Sequence, residues 1–167
     1  PALLDFFATG IGLGGPEVKA GQDAPDFTAV DNGLQPVKLS ASKGKVLILS
    51  AVPSLDTPVC DMETRRFNQE AAKLPGDVVV LTVSLDLPFA QKRWCAAAGI
   101  DKVMTVSDYQ DRSFAAAYGV LIKELKLLSR SIFVVDKGDT GRYVQHVKGV
   151  AQEPDYAAVL AAAKGLL

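Results

Sequence analysis

Cysteine and histidine are scarce: the 167-residue chain has two of the first and one of the second. Two cysteines are too few for the disulfide framework of a small secreted scaffold, and too few for a Cys-only zinc site, which takes about four ligands. The single histidine, His146, falls in a predicted hairpin strand with no second imidazole to help hold a metal, so it is expected to be a surface or sheet residue. No metal site and no cofactor are expected. Excess charge is missing as well. Eighteen Lys and Arg against 19 Asp and Glu leave a net charge of -1, which provides no cationic surplus for a phosphate backbone and argues against nucleic acid as a partner. Long apolar runs are also absent. The longest stretch without a charged residue, Phe6–Pro16, has 11 residues and four glycines, whereas a membrane-spanning helix needs roughly 18 apolar residues; no membrane association is expected. No basic segment precedes the apolar start, the first lysine being Lys19, so no secretory signal is visible and a cytoplasmic location is expected.

Catalytic motifs are missing too. Without a Gly-x-Ser-x-Gly elbow, a Walker loop or a Cys-x-x-Cys pair, serine hydrolases, nucleoside triphosphatases and simple dithiol oxidoreductases lack their parts. Gly10–Gly15 matches the letters of the dinucleotide fingerprint. That motif needs a helix behind it, and Pro16, Gly21 and Pro25 crowd the place where one would run.

What is present is core-forming sequence: 49% hydrophobic and 22% charged residues, with no repeat or linker, predict one globular domain over residues 1–167, of which 1–17 form an atypical Gly-rich arm. Val46–Val52 and Val78–Leu85 are β-branched and aliphatic runs that predict buried strands. Thr57-Pro58 has the form of an N-cap followed by proline at the first helical position, and predicts a helix running to about Leu74. Pro88 opens a second helix that stops at Gly99. Lys102–Val106 predicts a short strand, Asp111–Tyr118 a short helix, Ser131–Val135 a strong strand, Arg142–Val147 its antiparallel partner, and Pro154–Lys164 a last Ala-rich helix. The order implies an α/β fold with a central mixed sheet flanked by helices.

Two thiols are the chemically interesting groups. A thiol of ordinary pKa is only a few per cent anionic at neutral pH, so a working cysteine needs surroundings that favour the anion. Cys60 falls in the first turn of the predicted helix, where unpaired N–H groups and the helix dipole do so. Asp61 and Glu63 work the other way unless they point into solvent. Thr57 precedes the thiol by three residues, so both could face one pocket; equally, Thr57 is a plain N-cap and Cys60 a small buried hydrophobe. Cys95 lies 35 positions further on, on the next helix. Thiols on different helices can bond only if their Cα atoms come within about 7 Å, and where they stand further apart a bond to Cys60 calls for partial unwinding of either helix. Arg130, read alone, is an arginine solvating the start of a buried strand.

Pro53-Ser54-Leu55-Asp56-Thr57-Pro58-Val59-Cys60 resembles the Pro-x-x-x-Thr-x-x-Cys motif of peroxiredoxins. Asp86-Leu87-Pro88-Phe89-Ala90-Gln91-Lys92-Arg93-Trp94-Cys95 resembles the resolving-cysteine segment of their thiol peroxidase subfamily, the atypical two-cysteine peroxiredoxins. The likeness runs from about Val18 to the C-terminus and implies a thioredoxin-like fold. It also implies a thiol-dependent peroxidase acting on hydrogen peroxide and organic hydroperoxides. By it, Cys60 is the peroxidatic cysteine, Thr57 the hydroxyl that bonds thiolate and peroxide, Pro53 the shield of the pocket, Arg130 the active-site arginine and Cys95 the resolving cysteine. An intramolecular disulfide reset by thioredoxin, and a homodimer, follow from the resemblance as well. The chain departs from the pattern at Ser129, Ser131 and Ala96, small-for-small changes expected to retain the chemistry. It departs further at residues 1–15, which are apolar and Gly-rich where the family begins with a β-hairpin.

Overall fold

A computed structural model describes residues 13–147 and 151–167. Most of the Gly-rich arm, including the first half of the Gly10–Gly15 motif, lies outside the described residues. Its end, β1 (Leu13–Gly14), pairs antiparallel with β7 (Leu121–Ile122), which in turn pairs with β8 (Leu127–Leu128). No helix follows Gly15 before the first strand of the main sheet, so the fingerprint lacks its essential partner.

Among the described residues the main sheet has seven strands: β2 (Thr28–Val30), β3 (Pro36–Lys38), β4 (Val46–Ala51), β5 (Val78–Ser84), β6 (Met104–Ser107), β9 (Ser131–Val135) and β10 (Gly141–His146). Their order is β10-β9-β4-β5-β6-β2-β3, with β4, β5 and β6 parallel and the remaining pairs antiparallel. The helices are α1 (Pro58–Ala71), α2 (Pro88–Ala98), α3 (Ser113–Tyr118) and α4 (Tyr156–Lys164). This is the expected mixed sheet flanked by helices. The short hairpin β2–β3 and the pair β7–β8 are additions to the expected elements, and α1 stops three residues before Leu74.

Strand periodicity divides the core between the two faces of the sheet. Leu47, Leu49 and Ala51 of β4, with Leu81, Val83, Phe133 and Val135, pack with Phe114 and Tyr118 of α3. Val46 and Ile48, with Val80, Ile132 and Val134, pack with Phe67 of α1 and Val159 of α4. On that second face the next residue of β4 is Ser50, a buried hydroxyl in an otherwise apolar strand. Both helix stops at glycine are as expected: Gly99 and Gly119 cap α2 and α3 in the left-handed conformation (φ 67° and 64°). At Gly119 a Cβ would also stand 2.2 Å from the Pro16 carbonyl oxygen, so the N-terminal segment crosses there only because no side chain is present.

The six-residue α3 is held by Asp108 rather than by its own N-cap residue, Arg112, which makes no capping bond. Asp108 is 1% exposed and accepts the N–H groups of Phe114 (3.0 Å) and Ala115 (2.8 Å). Burial pushes its carboxyl up to about 6, against the pull of those two donors. The folded-state value lies above the unfolded one. The group therefore contributes stability that is complete below the ordinary aspartate range and lost as pH rises through about 6. The side-chain ¹³C resonance of Asp108 is expected to titrate near pH 6, and the fall in unfolding free energy between pH 4 and 7 is expected to shrink in Asp108→Asn. A midpoint at or below 4 would remove this contribution.

Candidate active site

The carboxyl end of β4 leads through Val52–Thr57 into α1, so the chain reverses above the sheet where β9 begins. Pro53 in this connection is buried, directly after Val52, whose N–H bonds the Val83 carbonyl at 3.0 Å. Thr57 stands at the N-cap with extended backbone, as expected, but its side chain does not cap. Its hydroxyl donates to the Ser54 carbonyl at 2.7 Å, which ties the loop and leaves the oxygen's lone pairs to accept from another group. The first helical bond runs from Asp61 N–H to Thr57 O (2.9 Å), so the N–H groups of Val59 and Cys60 have no acceptor within the helix.

Cys60 is 0% exposed and packs with Val52, Leu55 and the half-buried Trp94. It is a buried residue with a charged neighbour. Arg130, the residue before β9, is 3% exposed, and its guanidinium lies within electrostatic reach of the Cys60 side chain. The expectation of an arginine solvating a strand end is therefore corrected. Arg130 Nη1 donates to Glu63 Oε2 at 2.5 Å, and Ser50 Oγ donates to the other carboxylate oxygen at 2.9 Å. Glu63 is 0% exposed. Burial pushes its carboxyl above the usual range against the charge and bond of Arg130 and the bond of Ser50, and both oxygens accept, as in a carboxylate. Burial opposes the charge on Arg130 as well, but the charge and hydrogen bond of Glu63 outweigh it and keep the guanidinium protonated.

The two acids beside the thiol are both paired. Glu63 points inward rather than into solvent, and its charge faces the arginine. Asp61 is turned aside by Arg65 Nε (2.5 Å) and Trp94 Nε1 (2.9 Å).

Comparison with known proteins decides the lineage. A family model described as Redoxin matches residues 19–160. The thiol peroxidases of Halalkalibacterium halodurans and Bacillus subtilis are each 53% identical over 166 residues, 99% of this chain and 99% of theirs. The chain belongs to the redoxin family and, within it, to the thiol peroxidases. The crystal structure of a peroxiredoxin-like protein from Aquifex aeolicus superposes with a TM-score of 0.86 at 41% identity, covering 92% of this chain and 90% of that one. The thioredoxin-like fold implied by the sequence resemblance holds, and as a thiol peroxidase the chain is an enzyme.

Of the candidate residues, Pro53, Thr57, Cys60 and Arg130 gather where β4, α1 and β9 meet. Cys95 does not join them. Both thiols are free, and the Cys95 sulfur lies 3.4 Å from Thr105 Oγ1, which donates to Asn32 Oδ1 at 3.0 Å. This side of α2 borders a cavity of about 480 Å³ between β6 and the β2–β3 turn. His146 lies on β10 as a sheet residue, its Nδ1 2.9 Å from Ser131 Oγ.

The residue-by-residue reading missed Glu63 and Ser50 as partners of the arginine, and Asp86 as the organiser of the loop. Asp86 accepts Ser54 Oγ (2.7 Å), the Leu55 N–H (2.8 Å) and Ser84 Oγ (2.7 Å), while Gln91 donates to Ser84 Oγ at 3.0 Å. One carboxylate thus fastens the Pro53–Thr57 loop to the segment that opens α2.

Proposed function

We propose that this enzyme reduces hydrogen peroxide and organic hydroperoxides through Cys60, with Cys95 as resolving cysteine and a dithiol protein of the thioredoxin type as reductant. The observation that carries this reading is a buried guanidinium, locked in place by Glu63, within electrostatic reach of the Cys60 sulfur at the start of α1. Arg130 and the free N–H groups of the first helical turn are donors that stabilise negative charge on sulfur and on the oxygen that leaves. In the first step the sulfur lone pair attacks the terminal hydroperoxide oxygen. The S–O bond forms and the O–O bond breaks. Cys60 becomes a sulfenic acid, and the leaving alkoxide or hydroxide takes a proton from solvent. The Thr57 hydroxyl, already donating to Ser54, accepts from the peroxide O–H. Pro53 shields the pocket from water.

Because Cys60 has no exposed surface, peroxide must enter by movement of the residues around it. A shallow cavity of about 250 Å³, lined by Leu55, Asp56, Thr57, Pro58 and Asp61, adjoins the start of α1 and marks the approach. The family resemblance supports a homodimer as the working unit. The reading places the enzyme in the cytoplasm, where the reducing poise would keep a working thiol available.

The Cys95 assignment is tested by Cys95→Ser. The variant is expected to oxidise at Cys60 once, to form no intramolecular disulfide by mass spectrometry, and to lose sustained thioredoxin-linked turnover. Undiminished turnover would overturn the assignment.

A further inference from the structure

The residue after Cys60 and the residue before Cys95 are hydrogen-bonded to each other. Trp94 Nε1–H donates to Asp61 Oδ2 at 2.9 Å, and the second Asp61 oxygen accepts Arg65 Nε at 2.5 Å. The Arg65 guanidinium also lies 5.8 Å from the centroid of the Trp94 ring. Burial works to raise the Asp61 carboxyl, but the bonds from Arg65 and Trp94 and the charge of Arg65 hold it below the usual range. It is thus a charged anchor for the indole.

Trp94 packs against the small cluster formed by Val52, Leu55 and the fully buried Cys60. Neighbouring residues on a helix point about 100° apart. Trp94 therefore faces α1 while Cys95 faces Thr105. For Cys95 to reach Cys60, α2 must turn or unwind, and the indole must leave both Asp61 and that cluster.

We propose that the Asp61–Trp94 hydrogen bond is a latch that keeps Cys60 enclosed and sets how readily α2 opens to deliver Cys95. The latch rests on the reading above, in which Cys60 is oxidised and Cys95 resolves it. Asp61 and Trp94 are positioning residues in this scheme, and they act at a branch. In one direction the Cys95 sulfur attacks the Cys60 sulfenic acid, the S–S bond forms, the S–O bond breaks, and the hydroxyl leaves as water with the thiol proton. In the other, a second hydroperoxide transfers an oxygen to the still-enclosed sulfenic acid, giving sulfinic acid and an alcohol or water. Opening of the latch favours the first.

Trp94→Phe tests this, since it removes the N–H donor while keeping an aromatic ring at the position, and the urea midpoint reports the packing lost with the smaller ring. Reduced protein is mixed with one equivalent of hydrogen peroxide, and the disulfide is followed by acid quench and mass spectrometry. Sulfinic acid is then measured at excess peroxide. The disulfide is expected to form about ten- to a hundredfold faster than in the unsubstituted chain, the range for losing one hydrogen bond to a charged acceptor, and the sulfinic fraction to fall. Asp61→Asn, which keeps an acceptor and loses the charge, is expected to shift both in the same direction by less, and it carries the test should Trp94→Phe not fold. A role in packing alone would lower the urea midpoint without moving this partition. Disulfide formation at an unchanged or slower rate overturns the latch and leaves the peroxidase reading standing. Failure of the unsubstituted chain to form any Cys60–Cys95 disulfide overturns both.

Discussion

Replacing Arg130 by glutamine is expected to cut the rate of Cys60 oxidation by about 10²–10³-fold, the loss found when a charge-stabilising donor is removed from a water-excluded site. The same change is expected to destabilise the fold. Glu63 has no exposed surface and receives Arg130 Nη1 at 2.5 Å, so it would be left as a buried acid with Ser50 as its remaining partner. Breaking a buried ion pair from one side costs about 3–5 kcal/mol. The two effects separate in a double variant. Glu63→Leu with Arg130→Met replaces the pair by apolar groups of similar size and is expected to recover most of the stability, because burying two charges is itself unfavourable. It is not expected to recover activity, since no cation then stands near the sulfur. Urea denaturation and stopped-flow oxidation, run on the single and double variants, check both parts. Recovery of activity along with stability would mean that the arginine acts only through the fold.

Cys60→Ser is expected to abolish peroxide reduction, leaving the uncatalysed background. The hydroxyl is of similar size, so the fold is expected to survive the substitution. A serine oxygen cannot take the oxygen atom from a peroxide as sulfur does, and its proton is held too tightly for the nearby Arg130 charge to release it. Peroxide consumption with a thioredoxin system measures the effect. Retained activity in this variant would assign the chemistry elsewhere, and Cys95 would then be the thiol to test.

The strands and helices that frame the site were legible because their signals are local and strong. Val46–Ala51 and Ser131–Val135 are apolar runs buried on both faces, and Pro58 and Pro88 open their helices at the first position. The hairpin β2–β3 was legible in part and missed. Asn32-Gly33 is a turn signal, and the Asp31 carboxylate folds the turn by accepting from Gly33 and Gln35. Its strands, however, have three residues each, too few to show alternation. At the site, the residues that the two motifs carry were named. Their partners were not, for a physical reason: Glu63 and Arg130 stand 67 positions apart and meet only because β9 pairs with β4 beside the start of α1. Ser50 offered a hint, as a hydroxyl in a wholly buried strand that has to find an acceptor. The complete enclosure of Cys60 and the turn of Cys95 toward Thr105 on β6 depend on how α1 and α2 pack, which no local pattern encodes.

The second-order rate constant for oxidation of Cys60 by hydrogen peroxide, measured by stopped flow on the reduced protein beside free cysteine, tests the arginine–sulfur pairing most directly. A constant on the order of 10² or more above that of free cysteine at the same pH, collapsing toward it in Arg130→Gln, is the expected result. A rate equal to that of free cysteine, or one indifferent to Arg130, would show that the guanidinium beside the sulfur does not activate it.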